Sequence, residues 1–523
     1  MAIQEMSQRA DSPHSSPEFV VDVLVIGAGL AGCYRLHTLR RAGFSVKVVE
    51  AGSDLGGIWH WNCYPGAGLP EVYEGWTWSE HYPGHEELQQ YFGYMDEKLD
   101  LKKDVEFNRK VTSADWDEPG KTWKVRCNDG FSVQAKFLVA AIGFASKRYF
   151  PPRKGLDSFK GTIHHSSFWP KEGIDVRGKR VAVVGTGATR IQIAQECARE
   201  VGDEGSLTVF QRTPNLCCPM RQKKVTKEED EKMKQELGEV FKTRLRFNTG
   251  FMYGSRKEIK GGFRFMANSY GDMVLSEEAN MEAYKFWARK TRARIQDPRK
   301  RDILAPLKPP HPFGAKRLSL EQDFYEQFNR PYINVINVKA NPIDDVVPEG
   351  IRTADGVVHE FDIIALATGF DSITGGLKDI DIKGSNGELL REKWDKGTWT
   401  YLGMTTSSFP NFFFLYGPQG PTAFSNGPSC VESQADWLLE VLQYMKEEGK
   451  EKRDATTEAE KEWKQLVHDF SARTLRHHTD SWYNGYNIPG KPRAPLNYAG
   501  GLPDYMRRLR EVREKGMKGF EVS

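Results

Sequence analysis

No stretch of this sequence reaches the roughly 18 consecutive apolar residues of a membrane-spanning helix. The apolar run at 19–26 is only a strand's length and contains Asp22. Excess charge of either sign is also missing: a formal net charge of +3 gives no global attraction to nucleic acid or an anionic membrane. Its seven cysteines (Cys33, Cys63, Cys127, Cys197, Cys217, Cys218, Cys430) are an odd count with no CxxC spacing. That argues against a disulfide framework or a thiolate metal cluster, and for a reducing compartment. The first 17 residues lack the basic-then-apolar pattern of a leader, and no internal repeat of about 20–50 residues is visible. What remains is an ordinary globular composition, 39% apolar and 28% charged. The expectation is a soluble, cytoplasmic chain without metal, membrane or nucleic-acid partners. At 523 residues it exceeds one core and divides into two or three domains.

Against these absences stand two glycine turns about 158 residues apart. Residues 19–26 (FVVDVLVI) have the β-branched, continuously apolar character of a strand buried on both faces. They lead into Gly27-Ala28-Gly29-Leu30-Ala31-Gly32, a helical stretch to Arg41, Gly43, and a second strand at 45–50 ending in Glu50. Glycines there allow a tight turn, backbone approach to a pyrophosphate and close helix–sheet packing. The helix N-terminus offers partial positive charge, and Glu50 can accept from a ribose diol. The bland alternative is a strand–helix turn that binds nothing. The second copy runs from 179–184 through Gly185-Thr186-Gly187-Ala188-Thr189-Arg190-Ile191-Gln192 to a helix ending near Glu200 and a strand at 206–210. Its third small position is Arg190, which either widens the helix–sheet contact or projects toward the phosphates. After its next strand stands Gln211-Arg212-Thr213 with no carboxylate, and a cation there suits the 2′-phosphate of NADP.

Between about 220 and 312 the texture becomes charged and helical. Thr226 and Glu229 have capping-box spacing, and Met233, Leu237, Val240 and Phe241 share a helical face. The proline-rich stretch 305–312 marks a boundary. Strand patterns return at 333–338 and 361–365. The tail from Thr457 is helical, with Ala459, Trp463, Leu466, Val467 and Phe470 on one face. The fold class expected is α/β, with two Rossmann-like dinucleotide-binding domains and a helical insertion in the second. The first occupies 1–150 and 369–523; the second occupies 151–218 and 313–368, interrupted by the insertion at 219–312.

Phe159-Lys160-Gly161-Thr162-Ile163-His164-His165-Ser166-Ser167-Phe168-Trp169-Pro170 fits FxGxxxHxxxWP at every fixed position. With both glycine turns, this segment resembles the single-component, FAD-dependent Baeyer–Villiger monooxygenases, from about residue 20 to 505. Supporting stretches are Gly56-Gly57-Ile58-Trp59 through Tyr64-Pro65-Gly66, Phe313-Gly314-Ala315-Lys316-Arg317, Phe328-Asn329-Arg330, Ala367-Thr368-Gly369-Phe370-Asp371, Tyr416-Gly417-Pro418-Gln419 and Ser481-Trp482-Tyr483. The resemblance implies that NADPH reduces FAD, that O₂ adds at the flavin C4a, and that the peroxyflavin converts a ketone to an ester or lactone. It implies FAD contacts from Gly27, Gly29, Ala31, Gly32, Glu50, Gly57, Ile58, Trp59, Tyr64, Val111 and Gly427. It implies NADP(H) contacts from Gly185, Gly187, Ala188, Thr189, Gln192, Arg212, Thr213, Lys316 and Trp482. Arg317 matches the family's catalytic arginine, a fixed charge for the peroxide and the oxyanion that follows. Phe159, Gly161, His165 and Trp169 would form a structural linker coupling domain movement to catalysis. An acid–base role for His165 lacks a neighbouring carboxylate in sequence. The Cys217-Cys218 and His477-His478 pairs have no partners at metal spacing and read as packing or surface residues. A carbonyl compound and O₂ are the partners implied, with a monomer or weak dimer expected.

Three positions depart from the family. Pro70 stands where its aspartate pairs with the active-site arginine, Ala141-Ile142-Gly143 replaces its ATG, and Arg190 replaces a small residue. They leave open an FAD-dependent NADPH reductase or dehydrogenase on the same scaffold. Oxygenation at nitrogen or sulfur, and a non-catalytic FAD-binding protein, are further alternatives.

Overall fold

The computed structural model describes residues 19–61, 75–250 and 272–523. Strand β1 (Phe19–Ile26) runs parallel to β2 (Val46–Val49), with Ile26 beside Val49. Its alternation serves two cores. Val23 and Val25 face the helix α1 (Leu30–Arg41) with Leu36 and Leu39, while Val21, Leu24 and Ile26 face the opposite side with Trp123 and Phe412. Burial on both faces is what the unbroken β-branched run requires. Next come β3 (Val105–Glu106), β4 (Val111–Asp117), β5 (Thr122–Cys127) and β6 (Ser132–Ala140). The sheet order is Asp381–Lys383, β4, β5, β6, β1, β2, β3. The second half of β6 also receives Phe412–Phe414 in parallel, so the chain beyond 369 rejoins the first sheet. The helix Gly427–Glu447 closes this unit over α1, where Tyr34 donates to Asp436 at 2.8 Å.

The second sheet is wholly parallel. It contains β7 (Thr162–His165), β8 (Arg180–Gly185) and β9 (Ser206–Gln211), in the order Ile333–Asn337, β9, β8, Ile363–Ala367, β7. Two details differ from the pattern reading. The segment at 162–165 is an edge strand of this sheet, paired His165 to Leu366, where only a connection is expected. Its TIHH sequence has no alternation to reveal it, and pairing with Ile363–Ala367 supplies the conformation. The strand expected at 361–365 begins at Ile363, because the Phe361 amide is already bonded to the Glu349 carbonyl at 2.9 Å.

Among the described residues of 219–312 lie the α-helices Lys227–Thr243, Glu277–Arg292 and Pro298–Leu304. Thr226 and Glu229 form a reciprocal capping box at the first. Met233, Val240 and Phe241 are half-buried; the side chain of Leu237 lies outside the described residues. This helix leans on the first unit through Thr77 and Asp230, while Tyr284 and Trp287 of the second helix enter the core of the second unit. The two dinucleotide units thus have Rossmann-like α/β cores. Among the described residues no helix is long and apolar enough to cross a membrane.

Candidate active site

The C-terminal ends of β1 and β8 open into one cavity of about 3440 Å³. A pocket for a single drug-sized ligand measures about 300–1,000 Å³, so this space accommodates more than one large molecule. At the end of β1, Gly27 has φ 102°, and a Cβ there would stand 2.8 Å from the Ala141 carbonyl oxygen. Gly29 is the N-cap of α1 and supplies no capping side chain, which leaves the first-turn amides to a ligand. Across from it lies Gly57, where a Cβ would come within 2.7 Å of the Gly29 Cα. These two bare backbones face each other across a narrow slot at the cavity. Gly32 does not line the cavity; a side chain there would overlap the Gly27 carbonyl, so this glycine serves helix–sheet packing.

Glu50 is 5% exposed. Its Oε2 accepts from the Ala28 amide and its Oε1 from the Gly52 amide, each at 2.6 Å. Burial raises its carboxyl above the usual range, and these amides partly offset that. The Trp61 side chain and the Ala51 amide also hydrogen-bond to this carboxylate, which lines the cavity. Ala31, Ile58, Trp59, Val111 and Gly427 line the same space, Gly427 as the first residue of its helix. Tyr64 and Pro70 lie outside the described residues.

The second turn repeats the first. Gly187 is the N-cap of the helix Ala188–Glu200, again without a side-chain cap, and Gly185, Ala188, Thr189 and Gln192 line the cavity. Arg190 does not reach it. Its side chain is 0% exposed and points into the core of the second unit, donating from Nη1 to the Gln211 Oε1 at 2.7 Å. It also lies 5.3 Å from the Phe324 ring centroid. Burial lowers its guanidinium to about 10. Of the two alternatives open in the sequence, projection toward phosphates is therefore corrected: Arg190 fills the helix–sheet contact that Gly32 keeps closed in the first unit.

Arg212, Thr213, Lys316, Arg317 and Trp482 also line the cavity. Lys316 and Arg317 are consecutive yet serve different neighbours. Burial lowers the Lys316 ammonium, the Arg212 charge lowers it further, and Asp480 opposes them. Two cations close enough to repel make a place for a dianion. Arg317 instead acts on the phenols of Tyr416 and Tyr483, and it makes no hydrogen bond or ion pair among the described residues. Trp482 stacks on Phe144 with centroids 5.5 Å apart and rings 10° from parallel; Phe144 in turn meets Tyr416 edge-on at 5.6 Å.

In the FxGxxxHxxxWP segment, Phe159, Gly161 and His165 line the cavity, while Trp169 packs against the core of the second unit. His165 is 3% exposed, and its Nδ1 accepts from the Ser167 amide at 3.2 Å. Burial, then the Arg148 charge, lowers the imidazole to about 4, so it is neutral in ordinary working conditions. Arg148, which no motif marks, spans the junction between the units. Its Nε donates to the Ser167 Oγ at 2.9 Å, and its guanidinium lies 3.3 Å from the Phe168 centroid and 5.5 Å from that of Trp61. Cys217 and Cys218 are buried, and burial pushes the Cys218 thiol up to about 12. Phe144 and Tyr416 are further cavity residues that sequence reasoning gave no individual role. Phe144 has only its position after Gly143 and β6 as a signal, whereas Tyr416 opens the Tyr416-Gly417-Pro418-Gln419 stretch after the strand Phe412–Phe414.

Comparison with known proteins agrees with this geometry. The family model described as pyridine nucleotide-disulphide oxidoreductase matches residues 21–248. Cyclopentanone 1,2-monooxygenase of Comamonas sp. (strain NCIMB 9872) is 42% identical over 532 residues, covering 96% of this chain and 96% of that protein. Acetone monooxygenase (methyl acetate-forming) of Gordonia sp. (strain TY-5) is 35% identical, covering 96% of this chain and 99% of its own. The crystal structure of OTEMO in complex with FAD and NADP superimposes with a TM-score of 0.88 at 34% identity, covering 97% of this chain and 100% of that one.

Proposed function

Because the chain belongs to the FAD- and NADPH-dependent Baeyer–Villiger monooxygenases, we propose that this large cavity holds both cofactors and the ketone together. The protein is an FAD-containing, NADPH-dependent monooxygenase that converts a ketone to an ester or lactone. One O₂, one NADPH and one proton are consumed with the ketone, and NADP⁺ and water leave with the ester. Bound FAD, once reduced by NADPH, would activate the O₂ from which the inserted oxygen atom comes; the protein positions the reactants and excludes water.

The observation that carries this reading is the convergence of two uncapped helix N-termini, Glu50, the Arg212–Lys316 pair and Arg317 on one cavity. The slot between Gly29 and Gly57, with the first-turn amides of α1, suits the FAD diphosphate, and Glu50 suits its ribose. The Gly187 turn suits the NADP diphosphate, and Arg212 with Lys316 suits its 2′-phosphate. Trp482, seated on Phe144, closes over the nicotinamide side. Arg317, without a protein counter-ion among the described residues, places a fixed positive charge where the substrate oxygen becomes negative. His165 stays neutral and buried, so its part is structural: it ends the edge strand β7 and orders Ser167 beneath Arg148. Buried cysteines with no disulfide among the described residues suit a reducing, cytoplasmic setting.

The Comamonas relative is named for cyclopentanone, so small cyclic ketones are the first substrates to assay. The purified yellow protein is reduced with NADPH without air and then exposed to O₂ with a panel of cyclic and aryl ketones. Ester or lactone in step with NADPH consumption supports the reading. Alcohol product from the ketone, with no oxygen uptake, overturns it in favour of a reductase.

A further inference from the structure

We propose that Tyr416 is a catalytic residue whose phenol donates a hydrogen bond to the carbonyl oxygen of the ketone, sharing with Arg317 the negative charge that develops there. The inference rests on the ketone-oxygenating reading above. Tyr416 follows the strand Phe412–Phe414 with φ 56°, a left-handed conformation that a bulky residue adopts only where its surroundings enforce it. Enforcement comes from Gln434: its Oε1 accepts from the Tyr416 amide at 2.8 Å, and its Nε2 donates to the Tyr505 hydroxyl at 3.0 Å. The outcome of that backbone cost is a side chain turned into the cavity.

The hydroxyls of other tyrosines in the same unit are matched by protein acceptors: Tyr505 donates to the Leu402 carbonyl at 2.7 Å, and Tyr401 to that of Lys518 at 2.8 Å. The Tyr416 hydroxyl makes no hydrogen bond among the described residues. A phenol set in a protein interior finds a partner, and here the open side is the cavity. Gly427 keeps that side open, since a Cβ on it would already stand 3.4 Å from the Tyr416 hydroxyl. Phe144 holds the ring edge-on at 5.6 Å and carries Trp482 as well, so the phenol shares a wall with the residue assigned to the nicotinamide side. Burial holds the hydroxyl well above the ordinary tyrosine range despite Arg317, so it remains a neutral O–H donor. The proton stays on the phenol throughout; the group stabilises charge and transfers nothing.

The test is Tyr416→Phe in the FAD-loaded enzyme, which removes one oxygen and no hydrogen bond among the described residues. NADPH-driven flavin reduction is expected to stay within about twofold of the parent. Ester formation from cyclopentanone is expected to fall about 10²–10³-fold in kcat, as for loss of one oxyanion donor. In the oxidised, NADP-bound enzyme, the infrared carbonyl stretch of ¹³C-labelled cyclopentanone is expected to move to higher wavenumber. An unchanged kcat with an unchanged stretch overturns the assignment. Loss of flavin reduction also counts against it, because a donor to the carbonyl oxygen leaves that step alone. A parent that consumes NADPH yet makes ester from no ketone sinks the reading of the reaction instead, and the carbonyl stretch still judges Tyr416.

Discussion

The Nη1 of Arg190 lies 2.7 Å from the Oε1 of Gln211, beneath the second glycine turn and away from the cavity it frames. A guanidinium thus occupies the place where the first unit has Gly32. Among the described residues no carboxylate neutralises it, and its Nε and Nη2 have no partner. Arg190→Met is expected to leave NADPH dependence within about twofold of the parent. Stability should change instead, because the Gln211 Oε1 loses its donor, at a cost of about 1–3 kcal/mol. Thermal melting beside NADPH titration checks this. Weaker NADPH binding with an unchanged melting temperature would return Arg190 to the phosphate site.

Gly29→Asp is expected to yield a folded protein that has lost its flavin. The new carboxylate would enter the slot opposite Gly57, where a Cβ already stands 3.3 Å from the Gly57 Cα, and would meet a diphosphate at the N-terminus of α1. Flavin absorbance against protein absorbance measures occupancy. Full colour in the variant refutes the placement of FAD at this turn.

Arg212→Ala is expected to raise the NADPH KM about tenfold or more and to leave NADH use unchanged, since a charge-assisted contact contributes roughly 1.5–3 kcal/mol. The pair also predicts a pH effect. Lys316 loses its proton below the ordinary lysine range because burial and Arg212 both disfavour its charge. NADPH affinity should therefore weaken on the alkaline side earlier than an isolated lysine would allow. Removing Arg212 lifts one of those two causes, so the alkaline limb should move to higher pH. Equal loss of NADH and NADPH, with no shift of that limb, would dissociate the pair from the 2′-phosphate.

His165 should leave its mark on acid stability and none on the pH profile of turnover. Its folded value of about 4 lies below the roughly 6.5 of an unfolded histidine. As pH falls from about 6.5 to about 4, the unfolded chain takes up a proton that the folded chain refuses, and stability is lost by at most about 3 kcal/mol. His165→Asn keeps an acceptor for the Ser167 amide without that proton. Urea unfolding at pH 7 and pH 5 should therefore show a smaller acid penalty in the variant, with an unaltered activity profile between about pH 6 and 9. A lost inflection in that profile would restore an acid–base role.

The elements easiest to read from sequence are those whose side chains declare both faces. The run at 19–26 is the strand Phe19–Ile26, and the face of Ala459, Trp463 and Val467 is buried in the helix Thr457–Ala472. Strand β7 could not be read this way, because Thr162 and His164 pack little and its pairing comes from Ile363–Ala367. At the site, residues within glycine turns were legible because backbone geometry restricts what can stand there. Arg148, Phe144 and Tyr416 were not. Each acts through neighbours far away in sequence, as Phe144 does in carrying Trp482. Arg190 shows the opposite limit: its position was marked, but only the depth of the helix–sheet contact decides which way the side chain turns.

Arg317 provides the most direct test of the chemistry. It faces the cavity without an ion pair among the described residues, and Pro70, where the family has aspartate, has no side-chain charge to give it one. Arg317→Ala should leave flavin reduction by NADPH largely intact, because that step needs no charge at the substrate oxygen. Ketone oxygenation should fall about 10²-fold or more, the ~3 kcal/mol typical of losing one preorganised stabilising group. Electrons that no longer reach the ketone should then appear as hydrogen peroxide, so the ratio of peroxide to ester separates failed oxygenation from failed reduction. Pro70→Asp is the counter-experiment. With the family's aspartate restored as a counter-ion for Arg317, less hydrogen peroxide per ester is expected than in the parent. If Arg317→Ala slows reduction and oxygenation equally, with no rise in peroxide, the arginine serves cofactor binding and the charge at the substrate oxygen must come from elsewhere.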